Sequence, residues 1–144
     1  MENSHSVAVL GGGSFGTVLA NLAASNGYNV SLWVRDSEQA LRINSEGANT
    51  TYHPELKLSK NIIASDNLKE VLNNKSIIFI ATPSIVFEQI VIRVSDYIDE
   101  KPYLVSCTKG ILDDPFRPLS DIISSKLNNT TVSYTHLRAH ETRR

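Results

Sequence analysis

The sequence predicts a doubly wound α/β domain with a mostly parallel sheet, and three observations carry that prediction. Apolar runs of strand length alternate with helical apolar patterns along most of the chain, an order that argues for a parallel sheet covered by helices. Val7-Ala8-Val9-Leu10 runs straight into Gly11-Gly12-Gly13-Ser14-Phe15-Gly16, a buried strand meeting a glycine turn that opens a helix. Ser76-Ile77-Ile78-Phe79-Ile80-Ala81 is a continuous apolar run between polar residues, as in a central strand buried on both faces.

The remaining elements follow in order. Val18, Leu19, Leu22 and Ala23 form the apolar face of the first helix, which Asn26-Gly27 should end. Residues 29–34 read as the second strand, and so short a strand–helix–strand unit requires a parallel, right-handed crossover. Asp36-Ser37-Glu38-Gln39 has capping-box form, with Asp36 as N-cap of a helix through about Asn44. Residues 45–60 are polar, with Gly47 and Pro54, and read as a long loop of the kind that often carries function. Residues 61–64 form a third strand, and Asp66 caps a helix over 67–72. After Thr82-Pro83-Ser84, a helix follows with Ile85, Phe87, Ile90, Val91 and Val94 on its apolar side. Residues 103–107 form a fifth strand. Asp114-Pro115 then opens a last helix, apolar at Phe116, Leu119, Ile122, Ile123 and Leu127.

Composition narrows the function classes. The chain has 144 residues, 41% hydrophobic and 20% charged, which is one soluble domain's worth. A net charge of −1 offers no basic surface for nucleic acid or an anionic membrane, and no apolar run reaches the length of a membrane span. One cysteine, Cys107, and no signal-peptide pattern fit a cytoplasmic protein. Cys107 itself reads as a small core residue. His136 and His140 lie four apart, but without the H-E-x-x-H order or a third ligand no metal site is expected.

The chemistry sits in the turns. Gly11, Gly13 and Gly16 have the G-x-G-x-x-G spacing of a dinucleotide-binding loop. The first glycine permits the sharp turn, the second lets backbone amides approach a pyrophosphate, and the third lets helix and strand pack closely. The following helix turns its unpaired N–H groups and positive dipole end toward the phosphates. At the end of the second strand an acid selects NAD, whereas an arginine accommodates the extra phosphate of NADP. Here Arg35 is the cofactor contact, because its guanidinium grips phosphate or stacks on adenine, while Asp36 is accounted for as a cap. The cofactor is therefore NADP or NAD, with Arg35 tilting the choice to NADP. Lys109, at the end of the fifth strand and followed by Gly110, is a point charge suited to a phosphate or an oxyanion.

These segments together resemble the N-terminal domain of the bacterial NAD(P)-dependent glycerol-3-phosphate dehydrogenases. Gly11–Ala20 is similar to that family's G-A-G-S-[WFY]-G-T-A-L-A, and Leu32-Trp33-Val34-Arg35-Asp36 to its L-W-x-R-[DN]. Tyr52-His53-Pro54 resembles its Y-L-P loop, with His53 where leucine is usual. Thr82-Pro83-Ser84 resembles its V-P-S turn, and Thr108-Lys109-Gly110-Ile111 its T-K-G-[IL] segment. The resemblance implies a Rossmann-like fold in which Gly11, Gly13, Ser14, Phe15, Gly16, Arg35, Tyr52 and Pro83 contact the dinucleotide. It further implies that Lys109 reaches both cofactor and substrate. The implied reaction interconverts dihydroxyacetone phosphate and sn-glycerol 3-phosphate, serving glycerophospholipid synthesis, in an enzyme whose full-length form is open to homo-oligomer assembly.

The resemblance also implies a sixth strand, then a helical C-terminal domain with the catalytic lysine. None of these is legible here, so no catalytic residue is assigned. Residues 133–144, with Arg138, Arg143, Arg144 and two histidines around one leucine, read as foreign adapter- or vector-derived sequence. The dinucleotide-binding domain is accordingly 1–132, a fragment not competent for turnover. Rival readings are another NADP-dependent reductase with a related cofactor domain, such as a ketopantoate reductase, or a noncatalytic dinucleotide-binding module. A methyltransferase fits less well, because an arginine rather than an acid ends the second strand.

Overall fold

The computed structural model describes residues 5–98 and 102–108, and the strand segments 111–113, 116–118 and 132–134. Six strands form one sheet: β1 (Ser6–Leu10), β2 (Asn29–Trp33), β3 (Ile62–Ser65), β4 (Ile77–Ile80), β5 (Tyr103–Ser106) and a last strand at Val132–Tyr134. Between β5 and that strand, β6 (Ile111–Asp113) and β7 (Phe116–Pro118) pair antiparallel, so the last strand is β8. The order is β3-β2-β1-β4-β5-β8, and every pairing in the large sheet is parallel. The chain leaves β1, builds outward through β2 and β3, then returns to the other side of β1. Strand order reverses at that point, where ligands bind in such sheets.

Alternation along the strands divides the core into two layers. Val7 and Val9 of β1, with Val30 and Leu32 of β2, pack on the side of α1 (Ser14–Ser25) and α2 (Ser37–Glu46). Ala8, Leu10, Ile78, Ile80 and Leu104 face α3 (Leu68–Leu72) and α4 (Ser84–Tyr97). β1 is covered on both faces, with Val7 through Leu10 all buried. β4, expected to be buried on both faces, is so only at Ile78 and Ile80, while Ile77 and Phe79 on the α1 side are half-buried.

Local signals mostly act as expected. α1 stops at Asn26 with Gly27 following at φ +93°, and Asp36 caps α2 by accepting from the Glu38 N–H at 3.0 Å. Other expectations are overturned. Of the expected face of α1, Leu19 and Ala23 pack against the core, but Val18 and Leu22 are 44% and 60% exposed, and the fully buried residues are Gly16, Thr17, Ala20 and Ala24. Small residues face the sheet because the glycine turn brings the helix too close for larger ones. In α4, Phe87, Ile90, Val91 and Val94 are buried as expected, but Ile85 at its start is 83% exposed. The cap of α3 is Asn67, which accepts from Glu70 N–H, rather than Asp66.

The expected helix from Asp114-Pro115 also does not begin there, since Phe116–Pro118 is strand β7. A helix with Pro115 in its first position would need an N–H from residue 118 for its first internal bond, and proline has none. The rest of that expected helix, from Leu119 on, lies outside the described residues. Finally, the sixth strand that the sequence did not reveal is β8. Its pairs Val105↔Ser133 and Ser106↔Tyr134 take in the first two residues of the segment read as foreign. His136 and His140 lie outside the described residues.

Candidate functional site

The parallel strands continue their ladder past their carboxyl ends, which sets the turns at one level. Gly11 N–H donates to Trp33 O at 3.0 Å, Ala81 N–H to Leu10 O at 2.8 Å, and Cys107 N–H to Ile80 O at 2.8 Å. Above that level lies an open cleft of about 1470 Å³, lined by the glycine turn, Arg35, Tyr52, Thr82-Pro83 and Cys107-Thr108.

The glycine turn is built as its spacing requires. Gly11 has φ +122°, and a Cβ there would stand 2.6 Å from the Ala81 carbonyl oxygen. A Cβ on Gly16 would collide with the Gly11 carbonyl oxygen, so the third glycine lets α1 close onto the turn. Around Gly13, by contrast, a Cβ would meet nothing within 4 Å. That is the free space an approaching pyrophosphate needs, at the residue that is also the N-cap of α1. No carboxylate stands in the first turn of α1 to compete for its N–H groups. The turn fits a dinucleotide's phosphates.

A set of side chains missed by the sequence reading holds this turn from behind. Gln39, expected to complete the capping box, instead donates from Nε2 to the Gly12 carbonyl at 2.9 Å and to Asn49 Oδ1 at 3.3 Å. Asn49, 1% exposed, donates from Nδ2 to the same carbonyl at 2.9 Å and to Thr17 Oγ1 at 2.8 Å. Thr17 in turn donates to the Gly13 carbonyl at 2.6 Å. The carbonyls of Gly12 and Gly13 are therefore engaged on the protein side. Such a network rigidifies a loop because every buried polar member has its partner.

The long loop closes over the turn through one helical turn of its own. Tyr52 and His53 N–H groups both donate to the Asn49 carbonyl, at 3.2 and 2.8 Å. His53 Nε2 then lies 2.9 Å from Ser14 Oγ and 3.0 Å from Ser14 O. Tyr52, half-exposed at 49%, and Phe15, at 50%, line the cleft with Arg35. Deeper along the cleft, the Arg93 guanidinium lies over the Trp33 ring at 5.5 Å from its centroid, and Trp33 Nε1 donates to the Asp66 carbonyl at 3.0 Å.

Toward β5 the wall is simpler. Pro83 is the N-cap residue of α4, leaving Ser84 as its first residue, with no side-chain cap. Thr108 Oγ1 donates to the Thr82 carbonyl at 2.8 Å, and the buried Thr82 hydroxyl is without a partner among the described residues. Cys107 is buried at 8% exposure, as expected of a core cysteine. Lys109, expected to reach cofactor and substrate, lies outside the described residues. The other eight expected contacts, Gly11, Gly13, Ser14, Phe15, Gly16, Arg35, Tyr52 and Pro83, all line the one cleft. Among described groups, a resolved shift belongs to Lys75 at the amino end of β4, across the sheet from the cleft, where burial lowers its pKa. Among the described residues no helix is long and apolar enough to cross a membrane.

Comparison with known proteins agrees with this geometry. The family described as NAD-dependent glycerol-3-phosphate dehydrogenase N-terminus matches residues 6–137. A glycerol-3-phosphate dehydrogenase [NAD(P)+] of Alcanivorax borkumensis is 40% identical over 131 residues, 91% of this chain and 38% of the relative. The protein of the same name from Acinetobacter baylyi is 43% identical over 121 residues, 84% of this chain and 34% of the relative. The crystal structure of glycerol-3-phosphate dehydrogenase from Coxiella burnetii superposes with a TM-score of 0.85 at 30% identity, covering 91% of this chain and 40% of that one. The chain thus spans less than half the length of these relatives. With the profile match running from β1 through β8, the chain belongs to the family of the NAD-dependent glycerol-3-phosphate dehydrogenase N-terminus.

Proposed function

We propose that this chain is the cofactor-binding part of an oxidoreductase that interconverts dihydroxyacetone phosphate and sn-glycerol 3-phosphate with NAD(P)H. The observation that supports it most is the glycine turn: crowded at Gly11 and Gly16, open at Gly13, and set against the N-terminus of α1 at the strand-order reversal. Bound NAD(P)H supplies the hydride. The chain's own residues bind and orient. N–H groups at the start of α1 and the Ser14 hydroxyl take the pyrophosphate, while Phe15 and Tyr52 flank it. Arg35 takes the adenosine end, with NADP favoured over NAD. Pro83 shapes the wall toward the nicotinamide, and Lys109 serves cofactor and substrate phosphate together.

In this reading the dinucleotide-binding unit, expected over 1–132, extends through β8 to Tyr134, inside the family match that runs to 137, and a foreign tail follows that match. The enzyme is cytoplasmic, serves glycerophospholipid synthesis, and takes its catalytic lysine from a helical C-terminal domain outside this chain. The 144-residue chain therefore binds dinucleotide but does not turn over. Fluorescence titration with NADPH and NADH, for the wild-type chain and Arg35→Ala, tests the reading. The expected result is saturable binding, with the substitution weakening NADPH about tenfold more than NADH, as for a lost charged hydrogen bond of about 1.5 kcal/mol. Equal losses would remove the NADP preference. Steady NADPH oxidation with dihydroxyacetone phosphate would refute the account of an incomplete enzyme.

A further inference from the structure

The His53 ring makes polar contacts that an aliphatic side chain at this place in the loop could not make. One nitrogen, Nε2, lies 2.9 Å from Ser14 Oγ and 3.0 Å from Ser14 O. The carbonyl oxygen can only accept, so both contacts are satisfied together when Nε2 carries the hydrogen; a bare lone pair there would face the carbonyl's own lone pair. Shared between the two oxygens, that hydrogen makes Ser14 Oγ an acceptor on the His53 side. The hydroxyl's single hydrogen is then left to point elsewhere, and Ser14 is the first residue of α1, on the cleft wall.

We propose that His53 is a positioning residue for the dinucleotide phosphates, holding the Ser14 hydroxyl so that its hydrogen is presented to a phosphate oxygen. The inference rests on the dinucleotide reading above and adds a residue to it. Two features make His53 fit for the task. Its backbone N–H is tied to the Asn49 carbonyl at 2.8 Å, and Asn49 is itself buried against Gly12 and Thr17. The imidazole thus reaches Ser14 from a fixed base rather than from a loose loop. One turn of chain carries both Asn49, which engages the Gly12 carbonyl, and His53, which orients the hydroxyl beside it. A serine with no such partner loses rotamer freedom only when the ligand arrives, and that ordering weakens binding.

The test is NADPH titration of the full 144-residue chain carrying His53→Leu, His53→Gln, Ser14→Ala or the Ser14→Ala/His53→Leu pair. His53→Leu is expected to weaken binding about fivefold, the size of one net hydrogen bond. His53→Gln, whose amide N–H replaces the Nε2 donor, stays within about twofold. The pair is no weaker than Ser14→Ala alone, since His53 acts through that hydroxyl. The ring ¹⁵N spectrum of the wild-type chain shows the hydrogen on Nε2. Unchanged NADPH affinity in His53→Leu, losses that add in the pair, or a hydrogen on Nδ1 would overturn the proposal and leave the dinucleotide reading standing. A wild-type chain that binds neither NADPH nor NADH overturns that reading itself. The tautomer is read on the wild type, so it decides even if the leucine variant fails to fold.

Discussion

The two ends of the cleft are built differently. At the β1–β2 end, Gly12, Gly13, Ser14, Thr17, Gln39, Asn49 and His53 are joined by hydrogen bonds between segments up to 39 residues apart. At the β4–β5 end, Thr108 crosses to the carbonyls of Thr82 and Ile80, and a buried Thr82 hydroxyl has no partner among the described residues. Binding a pyrophosphate through backbone amides demands a turn that does not adapt, and fixed polar groups cost less reorganisation when the ligand arrives. The first end is held by Thr17, Gln39 and Asn49, whose side chains donate to the turn's own carbonyls. The second, among the described residues, is lined by Thr82, Pro83, Cys107 and Thr108, with the Thr108 hydroxyl tying β5 to β4.

The contrast can be broken by substitution, beginning with the largest effect. Gly16→Ala drives a Cβ into the Gly11 carbonyl oxygen, and because that oxygen is backbone and the Cβ position is fixed by the helix, α1 must move off the turn. A loss of about 3 kcal/mol is expected, the upper part of the overpacking range, measured by urea denaturation together with loss of NADPH binding. Asn49→Ala removes the donor shared by Gly12 and Thr17. It should cost about 2 kcal/mol, as expected when buried partners are left unpaired, with weaker dinucleotide binding from a loosened turn. Thr108→Val removes the hydroxyl shared between the Thr82 and Ile80 carbonyls and should cost about 1 kcal/mol or less in the same denaturation series. If Thr108→Val proved as costly as Asn49→Ala, the two ends would be equally built and the contrast would fail.

Much of this was legible because the deciding chemistry is local. Glycine spacing placed the turn, Asp36 capped its helix, and Asn26-Gly27 ended α1. The order of runs and helical faces predicted the parallel sheet. What stayed illegible depends on partners distant in sequence. Val18 and Leu22 are more hydrophobic than Thr17 and Ala20, yet the tight approach of α1 to β1 admits only the smaller pair. Gln39 satisfies the capping-box spacing, but the Gly12 carbonyl, 27 residues away, takes its amide instead. Asn49 looks like any polar residue in a long loop until the fold buries it. Val132-Ser133-Tyr134 carries only three residues of strand pattern before a run of basic residues, too short a signal for periodicity to register.

The same clasp bears on how the domain comes apart. Its longest link joins residues 39 apart, whereas sealing β4 beside β1 brings together Ser6 and Ser76, 70 apart. Loop closure grows so slowly with length that this near-doubling costs only about 0.6 kcal/mol. That is small beside the packing that covers both faces of β1. Chain entropy therefore gives the phosphate turn no head start over the sheet, and the hydrogen bonds from Gln39, Asn49 and Thr17 tie its opening to that of the packed unit. Amide exchange at Gly12 to Ser14 should report the opening of the whole α/β unit, so that ligand affinity and global stability move together.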